Sequence, residues 1–383
     1  MHHVVHTQPS IANDKDIREA REALSACPVA AIRITTTAEL HHTNQPPMTK
    51  DQETLVTALA PKKQTDNDTP LFPKKLVQNV YYLGHHNEKS FGAMPYLVQG
   101  KMTTTNDGKN NKILTNVMVD VPKFSPSAVR TVTSLTGNDG PDFMFLTHID
   151  DTADHQKWKE RFPKMKRIIH HLDTLPENNW LNDNSLKDSE IVLFTESNHQ
   201  DDFIQAWTLN GKSIKIAPSS LVESLEGGHS RDLEVQHNEK DQFGNFIIIH
   251  TPGHSAGSIS LLYYFLDNAK DNIIDPSLGQ LNDKRIGVFF TGDTYAFTSR
   301  DGGRMTGFPR YGNDTKLQAK TISNIIDTFR EYWDVIAPGH GHVRNYIDLS
   351  HRQMMEEKTD LRSTVKNLKK HDIVHTVNEL KQY

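Results

Sequence analysis

Four widely separated stretches of this chain share one layout: a run of apolar residues that ends in a turn carrying an imidazole or a carboxylate. They run from Phe143 to His155, from Phe246 to Ser258, from Val288 to Thr294 and from Val335 to His342. A short apolar run bounded by turn formers reads as a buried strand. Each strand end then delivers chemistry: His148 and Asp150, with Asp154 and His155 opening a following helix; His254 after Pro252-Gly253; Asp293 after Gly292; His340 after Gly339. His148 and Asp150 alternate along an extended chain and so share one side of it. Glycine beside each of the last three permits a tight turn and close backbone approach. Singly, such motifs are weak, because a His after Pro-Gly or an Asp after Gly is more often a turn residue. Four in succession are not accounted for by chance.

The residue types point to a metal centre. Neutral imidazoles and ionised carboxylates hold hard or borderline divalent cations, and a carboxylate between two cations can bridge them. A site without thiolates also fits the single cysteine, Cys27. The expected ligands are His148, Asp150, Asp154, His155, His254, Asp293 and His340. A water acidified by such a cation, to a pKa of about 7, supplies hydroxide near neutral pH. The chain has 21 histidines, and most need a blander reading. His2-His3, His41-His42 and His85-His86 lie in polar stretches and read as solvated. His170, His171, His250 and His342 read as surface residues or as neighbours of the ligands.

The order of the four motifs resembles the metallo-β-lactamase superfamily, whose members carry a Thr-His-x-His-x-Asp-His segment, then Pro-Gly-His-Thr, then Gly-Asp, then a late Gly-His. The likeness covers about Leu71 to Val343. It implies an α+β fold, an αββα sandwich of two mixed sheets face to face with helices outside and the metals at one edge. It also implies two ligand sets, Asp154, His155 and His340 in one and His148, Asp150 and His254 in the other, with Asp293 bridging. The first motif departs from the family pattern: Asp150 stands at the second histidine position, and two additional residues precede Asp154-His155. Alignment from the other end puts Asp150 and Thr152 at the two histidine positions; threonine is a poor ligand, which favours His148 and Asp150.

The rest of the chain divides by composition. Residues 1–34 carry a short helical pattern from Asp14 to Ile32 that is broken by Pro28. Residues 35–70 form a polar linker, residues 71–345 the metallo-β-lactamase-like domain, and residues 346–383 a helical extension. Two polar insertions, Glu223 to Asn245 and Asn268 to Lys284, read as long loops. Within the main domain, strands are expected at Val77 to Leu83, Tyr96 to Val98, Ile113 to Val121 and Phe143 to Thr147. Helices are expected at Ser125 to Leu135, Asp154 to Phe162, Thr315 to Tyr332 and Leu349 to Lys370.

Cys27-Pro28 resembles the closing Cys-Pro of bacterial-type ferredoxins. The whole chain resembles a plant and cyanobacterial subgroup in which a ferredoxin-like module precedes a hydrolase domain with a Thr-His-x-Asp-Asp-x-Ala-Asp-His segment. Phe91-Gly92-Ala93 and Asp154 to Trp158 fit that subgroup. The three leading cysteines are absent, so this chain alone holds no iron-sulfur cluster. A sequence that starts late in the module is the favoured expectation, with a redox partner implied if the native module is complete; a short helix with a buried cysteine is the alternative.

A net charge of −5 with scattered Lys and Arg excludes a bulk nucleic-acid partner. The apolar runs are too short to span a membrane. A soluble intracellular protein of plastid or cytoplasm is the expectation. The function expected is a metal-dependent hydrolase that uses a metal-bound hydroxide on a small-molecule ester, thioester, lactone or phosphodiester. It would carry one or two divalent ions, zinc first, iron or manganese next. Asp154 and Asp293 are the expected catalytic carboxylates. Arg300 and Arg304, on a Gly-rich stretch after Asp293, would meet an anionic substrate. Two alternatives are a redox protein with a di-iron site linked to the ferredoxin module, and a non-catalytic metal-binding scaffold.

Overall fold

The apolar strands of this chain are buried on both faces, and residue parity decides what each face meets. In the strand Phe246–His250, Phe246 and Ile248 point into one core while Ile247 and Ile249 point into another. The same sorting holds for Val288 and Phe290 against Phe289, for Val335 and Ala337 against Ile336, and for Phe143 and Phe145 against Met144. A strand with both faces covered reads as a continuous apolar run rather than an alternating one. Stacked sheets with helices outside satisfy that demand.

The computed structural model describes residues 14–26, 71–106, 109–195, 203–216, 245–266, 285–299, 303–349 and 361–383. Cys27, the linker 35–70, Arg300 and nearly all of the two polar insertions lie outside the described residues. Helix α1 spans Asp14–Ala26, and its Glu22 pairs with Lys74 at 2.9 Å.

The first sheet holds seven strands in sequence order: β1 (Lys74–Val77), β2 (Val80–Tyr82), β3 (Tyr96–Asn106), β4 (Lys109–Val119), β5 (Phe143–Phe145), β6 (Lys166–His170) and β7 (Ile191–Leu193). Strands β1 to β4 run antiparallel, and β4 to β7 parallel. The run Val77 to Leu83, expected as one strand, is cut by a tight turn in which Asn79 adopts φ 59°, so β1 and β2 form a hairpin. On the outer face lie α2 (Pro126–Thr136, capped by Ser125) and α3 (His155–Arg161). Leu97, Met118, Met144 and Ile169 pack there against Ala128, Val132, Trp158 and Phe162.

The second sheet contains β8 (Ile204–Trp207), β9 (Ser213–Ile216), β10 (Phe246–His250), β11 (Ile259–Leu266), β12 (Arg285–Gly292), β15 (Val335–Pro338) and β16 (Arg344–Asn345). Their order across the sheet is β16-β15-β12-β11-β10-β8-β9. A small hairpin of β13 (Ala296–Thr298) and β14 (Arg304–Thr306) follows β12. Between β14 and β15 comes α4 (Thr315–Thr321), which runs on as a wider turn over Ile322–Ile326. The last helix, α5, spans Leu361–Lys381; it contains the end of the expected Leu349 to Lys370 helix, of which residues 350–360 lie outside the described residues. It sets Val365, Ile373, Val377 and Leu380 into the core outside the second sheet, beside Ile322 and Ile326. The C-terminal residues thus complete the outer helical layer.

The result is an αββα sandwich, as the resemblance implies. No helix among the described residues is long and apolar enough to cross a membrane. Burying an aliphatic or aromatic side chain contributes about 1.5–3 kcal/mol, so the three cores dominate stability.

Histidines that the composition reads as solvated or peripheral are part of this interior. His170 is fully buried, stacks on His250 at 4.4 Å and bonds Thr195 Oγ1 through Nε2 at 2.7 Å. Burial, with the neighbouring His250 and His171, pushes its pKa down to about 2. Below pH 6.5 the unfolded chain takes up a proton at this ring that the folded chain refuses. Stability from a neutral His170 is therefore complete above pH 6.5 and is lost as pH falls. Between pH 7 and pH 5 that loss is about 2 kcal/mol. Urea unfolding of His170→Asn at the two pH values should show a pH penalty smaller by about that amount. An unchanged penalty would refute the assignment.

Candidate metal centre

The four strand ends meet at one rim of the sandwich. Strand β5 stops at Phe145, and the chain enters a single 3-10 turn, Ile149–Asp151, with His148 extended just before it. The turn is held from both sides. Asp120 accepts from Thr147 N at 2.9 Å, and Asp173 accepts from Ile149 N at 3.0 Å. Asp173 also accepts from Ser255 Oγ at 2.8 Å and Gly257 N at 2.7 Å, so one buried carboxylate ties the His148 turn to the His254 loop. Burial raises the pKa of Asp120 to about 6 and raises that of Asp173, against the pull of the hydrogen bonds.

His254 follows Gly253, whose φ is 132° and whose position leaves no space for a side chain: a Cβ there would lie 2.4 Å from the backbone of Gln318. Gln318 in turn donates to the carbonyls of Asp293, Thr294 and Gly307, which couples helix α4 to the Asp293 turn. His340 comes in on the Gly339 turn. A Cβ at Gly339 would sit 2.5 Å from Asp151 Oδ2 and 3.0 Å from Asp293 Oδ1. The carboxylates approach that closely because the residue is glycine.

Six side chains converge. Oδ2 of Asp293 lies 2.9 Å from His340 Nδ1, 3.6 Å from His254 Nε2 and 3.9 Å from His148 Nε2. Oδ2 of Asp150 lies 3.5 Å from His254 Nε2 and 3.6 Å from His148 Nε2. Asp151 is fully buried, 3.8 Å from His148 Nδ1 and 4.0 Å from His340 Nδ1. Two overlapping groups, His148 with Asp150 and His254, and His148 with Asp151 and Asp293, offer donor atoms that all lie within 4.8 Å of one another.

These donors fit a cation. His148 Nε2, both oxygens of Asp151 and both nitrogens of His254 are buried without a hydrogen-bond partner. Buried polar atoms left unpaired cost about 1–3 kcal/mol each, and such a concentration in one place marks a site that another charge completes. His340 makes the point most clearly. Its Nε2 lies 3.2 Å from the Ser90 carbonyl and so carries a hydrogen, while Nδ1 faces both oxygens of Asp293 at 3.0 and 2.9 Å. A nitrogen lone pair would repel that carboxylate, so a proton or a cation must lie between them. Without a cation, burial works against the charged imidazole. Asp293 and Asp151 outweigh it and push the pKa of His340 up to about 10. Burial likewise opposes ionisation of Asp293 and Asp150. The His340, His254 and His148 imidazoles around the first, and His148 and His254 beside the second, hold both below the usual carboxylate range. Burial pushes Asp151 the other way, up to about 8. Thr147 Oγ1 meets His148 Nδ1 at 3.0 Å, a contact that engages Nδ1 and leaves Nε2 to face the cluster.

Of the residues singled out from the sequence, the structure brings together His148, Asp150, His254, Asp293 and His340. It does not bring in Asp154 and His155. After the 3-10 turn the chain leaves the rim, and Asp154 takes φ 67° before helix α3. Asp154 accepts from Asn87 Nδ2 and Phe124 N at 3.0 Å and from Lys157 at 2.7 Å. His155 lies in a separate buried network, bonded to Arg167 through Nδ1 at 3.1 Å and to Asp183 through Nε2 at 3.1 Å. Arg304 pairs with Glu379 of α5, which faces it toward the helical layer, and Arg300 lies outside the described residues. Asp151 is the donor that the sequence pattern passes over.

No family model matches this chain, and no curated protein matches it. Solved structures similar to it include an archaeal metallo-β-lactamase superfamily protein from Sulfolobus tokodaii, at 14% identity, 76% of this chain, 93% of that chain and a TM-score of 0.30. A mono-zinc metallo-β-lactamase from Pseudomonas aeruginosa shares 10% identity over 78% of this chain and 95% of its own, with a TM-score of 0.33. The peroxy diiron species of a chemotaxis sensor shares 16% identity over 77% of this chain and 92% of its own, with a TM-score of 0.34. At such scores no chemistry passes from those proteins to this one. What the chain is similar to, by the descriptions of the first two, is the metallo-β-lactamase superfamily.

Proposed function

We propose that this protein is a metal-dependent hydrolase of the metallo-β-lactamase type, acting on an ester, thioester, lactone or phosphodiester. The observation that carries the reading is the convergence of His148, Asp150, Asp151, His254, Asp293 and His340, with five donor atoms of His148, Asp151 and His254 buried and unpaired. His148, Asp150 and His254 would hold one cation. Asp151, Asp293 and His340 would hold a second, with Asp293 shared. A divalent ion held there supplies Lewis acidity, lowering the pKa of a water to about 7 and polarising a substrate oxygen. The chain's own work is positional. Asp120 and Asp173 fix the His148 turn, Asp173 ties it to the His254 loop, Gln318 fixes the Asp293 turn, and the Ser90 carbonyl orients His340. Rigid support of this kind keeps ligands oriented.

The test is turnover of a panel containing 4-nitrophenyl acetate, an acyl thioester, a γ-lactone and bis(4-nitrophenyl) phosphate. Activity on at least one member should be abolished by chelation and restored by a single added metal. Failure of every class with fully loaded protein would overturn the hydrolase reading. A second reading, a di-iron redox protein, draws on the three carboxylates in the donor set, since an oxygen-rich site suits iron or manganese as well as zinc. Dioxygen consumption by iron-loaded protein with a reductant, and none by zinc-loaded protein, would favour it.

A further inference from the structure

Beside the donor cluster stand two large aromatic side chains that the fold leaves in solvent. Phe91 is 62% exposed and Trp180 is 52% exposed, yet their rings lie against each other at 5.7 Å and 32°. Each is tied to a different side of the cluster. Trp180 Nε1 donates to Asp150 Oδ1 at 2.8 Å, and Phe91 directly follows Ser90, whose carbonyl meets His340.

The placement of Phe91 is enforced. It adopts φ 50°, a conformation costly for a bulky L-residue. Three successive amides there are engaged: Phe91 N bonds Glu88 O, Gly92 N bonds Asn87 O and Ala93 N bonds Ser90 O. Asn87 is anchored by Asp154. Asp154 thus braces the loop that presents Phe91. On the other side, Asn179 N bonds Leu175 O and Asn179 Nδ2 bonds Asp183 O, fixing the turn before Trp180. The loop's own hydrogen bonds thus hold an aromatic ring in water next to the donor cluster, where a bound group can cover it.

We infer that Phe91 and Trp180 form the substrate-recognition wall of the proposed site, taking the aromatic or extended apolar group of an ester, thioester or lactone. This rests on the hydrolase reading for the identity of the reaction, but the wall itself is a matter of binding. A third ring packs on an aromatic pair with a gain beyond its buried area, and the tether through Asp150 sets the bound group next to the donor atoms.

The experiment uses the full chain, with and without zinc, and N-(1-naphthyl)acetamide as the probe, an amide that reports binding by fluorescence anisotropy without turnover. Saturable binding is expected in the wild type. Phe91→Ala and Trp180→Ala should each weaken it about tenfold, whereas Trp180→Phe, which keeps a ring but loses the hydrogen bond to Asp150, should fall between wild type and Trp180→Ala. A second measurement uses the unaltered protein. Trp158, Trp207 and Trp333 are fully buried, so iodide quenching of tryptophan emission reports Trp180, and the probe should protect it. No saturable binding, wild-type affinity in both alanine variants, or unprotected tryptophan would each overturn the wall. Binding as expected without turnover of any ester would sink the hydrolase reading alone, and turnover without ring dependence would sink the wall alone.

Discussion

Asp293→Ala is expected to lower metal affinity by more than about a hundredfold, the upper range for loss of a residue that merely supports a ligand, and to abolish any metal-dependent turnover. The reason is geometric. One oxygen of Asp293 faces the imidazoles of His340, His254 and His148 at 2.9, 3.6 and 3.9 Å, and no other carboxylate of the cluster approaches all three as closely. Competition with a chromophoric chelator measures the change directly. Asp154→Ala is the instructive comparison. That carboxylate lies outside the cluster and braces Asn87 and the Phe124 amide, so metal affinity should stay close to wild type while stability falls by about 2 kcal/mol. Equal losses of metal in the two variants would place Asp154 among the ligands and contradict this assignment.

Gly253→Ala should destabilise the protein by about 4 kcal/mol and strip the site of metal. Two costs add: a left-handed backbone at φ 132°, and a Cβ driven to 2.4 Å from the backbone of Gln318. The neighbour is helix backbone rather than a pliable side chain, and displacing it also loosens the clamp of Gln318 on the Asp293 turn. Gly137→Ala is the control. Gly137 also has a positive φ, 71°, with ψ −170°, but nothing lies within 4 Å of the position its Cβ would take, so it should cost the backbone strain alone, about 2 kcal/mol, and leave the metal in place. Thermal unfolding and metal content of the two variants separate backbone strain from steric conflict.

Much of this architecture is legible in the chain because buried strands leave a plain signal. Phe246 to Ile249 and Val288 to Phe290 are apolar on both faces, which calls for cover on both sides. Gly253, Gly292 and Gly339 mark where those strands must turn and deliver His254, Asp293 and His340. The first motif is harder. Treating His148 and Asp150 as alternate residues of an extended strand puts both inward, but the chain there is a 3-10 turn, whose tighter winding also brings Asp151 inward and carries Asp154 away. The two residues by which this motif exceeds the family spacing were the available signal, since they leave room for one turn. His155 is misleading for a different reason: adjacency to Asp154 suggests ligation, whereas Arg167, distant in sequence, claims its ring. Phe91 and Trp180 could not be paired from sequence because their contact depends on loop geometry alone.

The central claim is that four chain turns jointly bind divalent cations, and metal analysis of the full chain purified without added metal tests it most directly, with the His148→Ala, His254→Ala double variant measured in parallel. About one to two equivalents of a first-row divalent metal are expected in the wild type, with a large loss in the variant. A wild-type protein that carries only traces, and that takes up no more than the variant after dialysis against zinc, would contradict it.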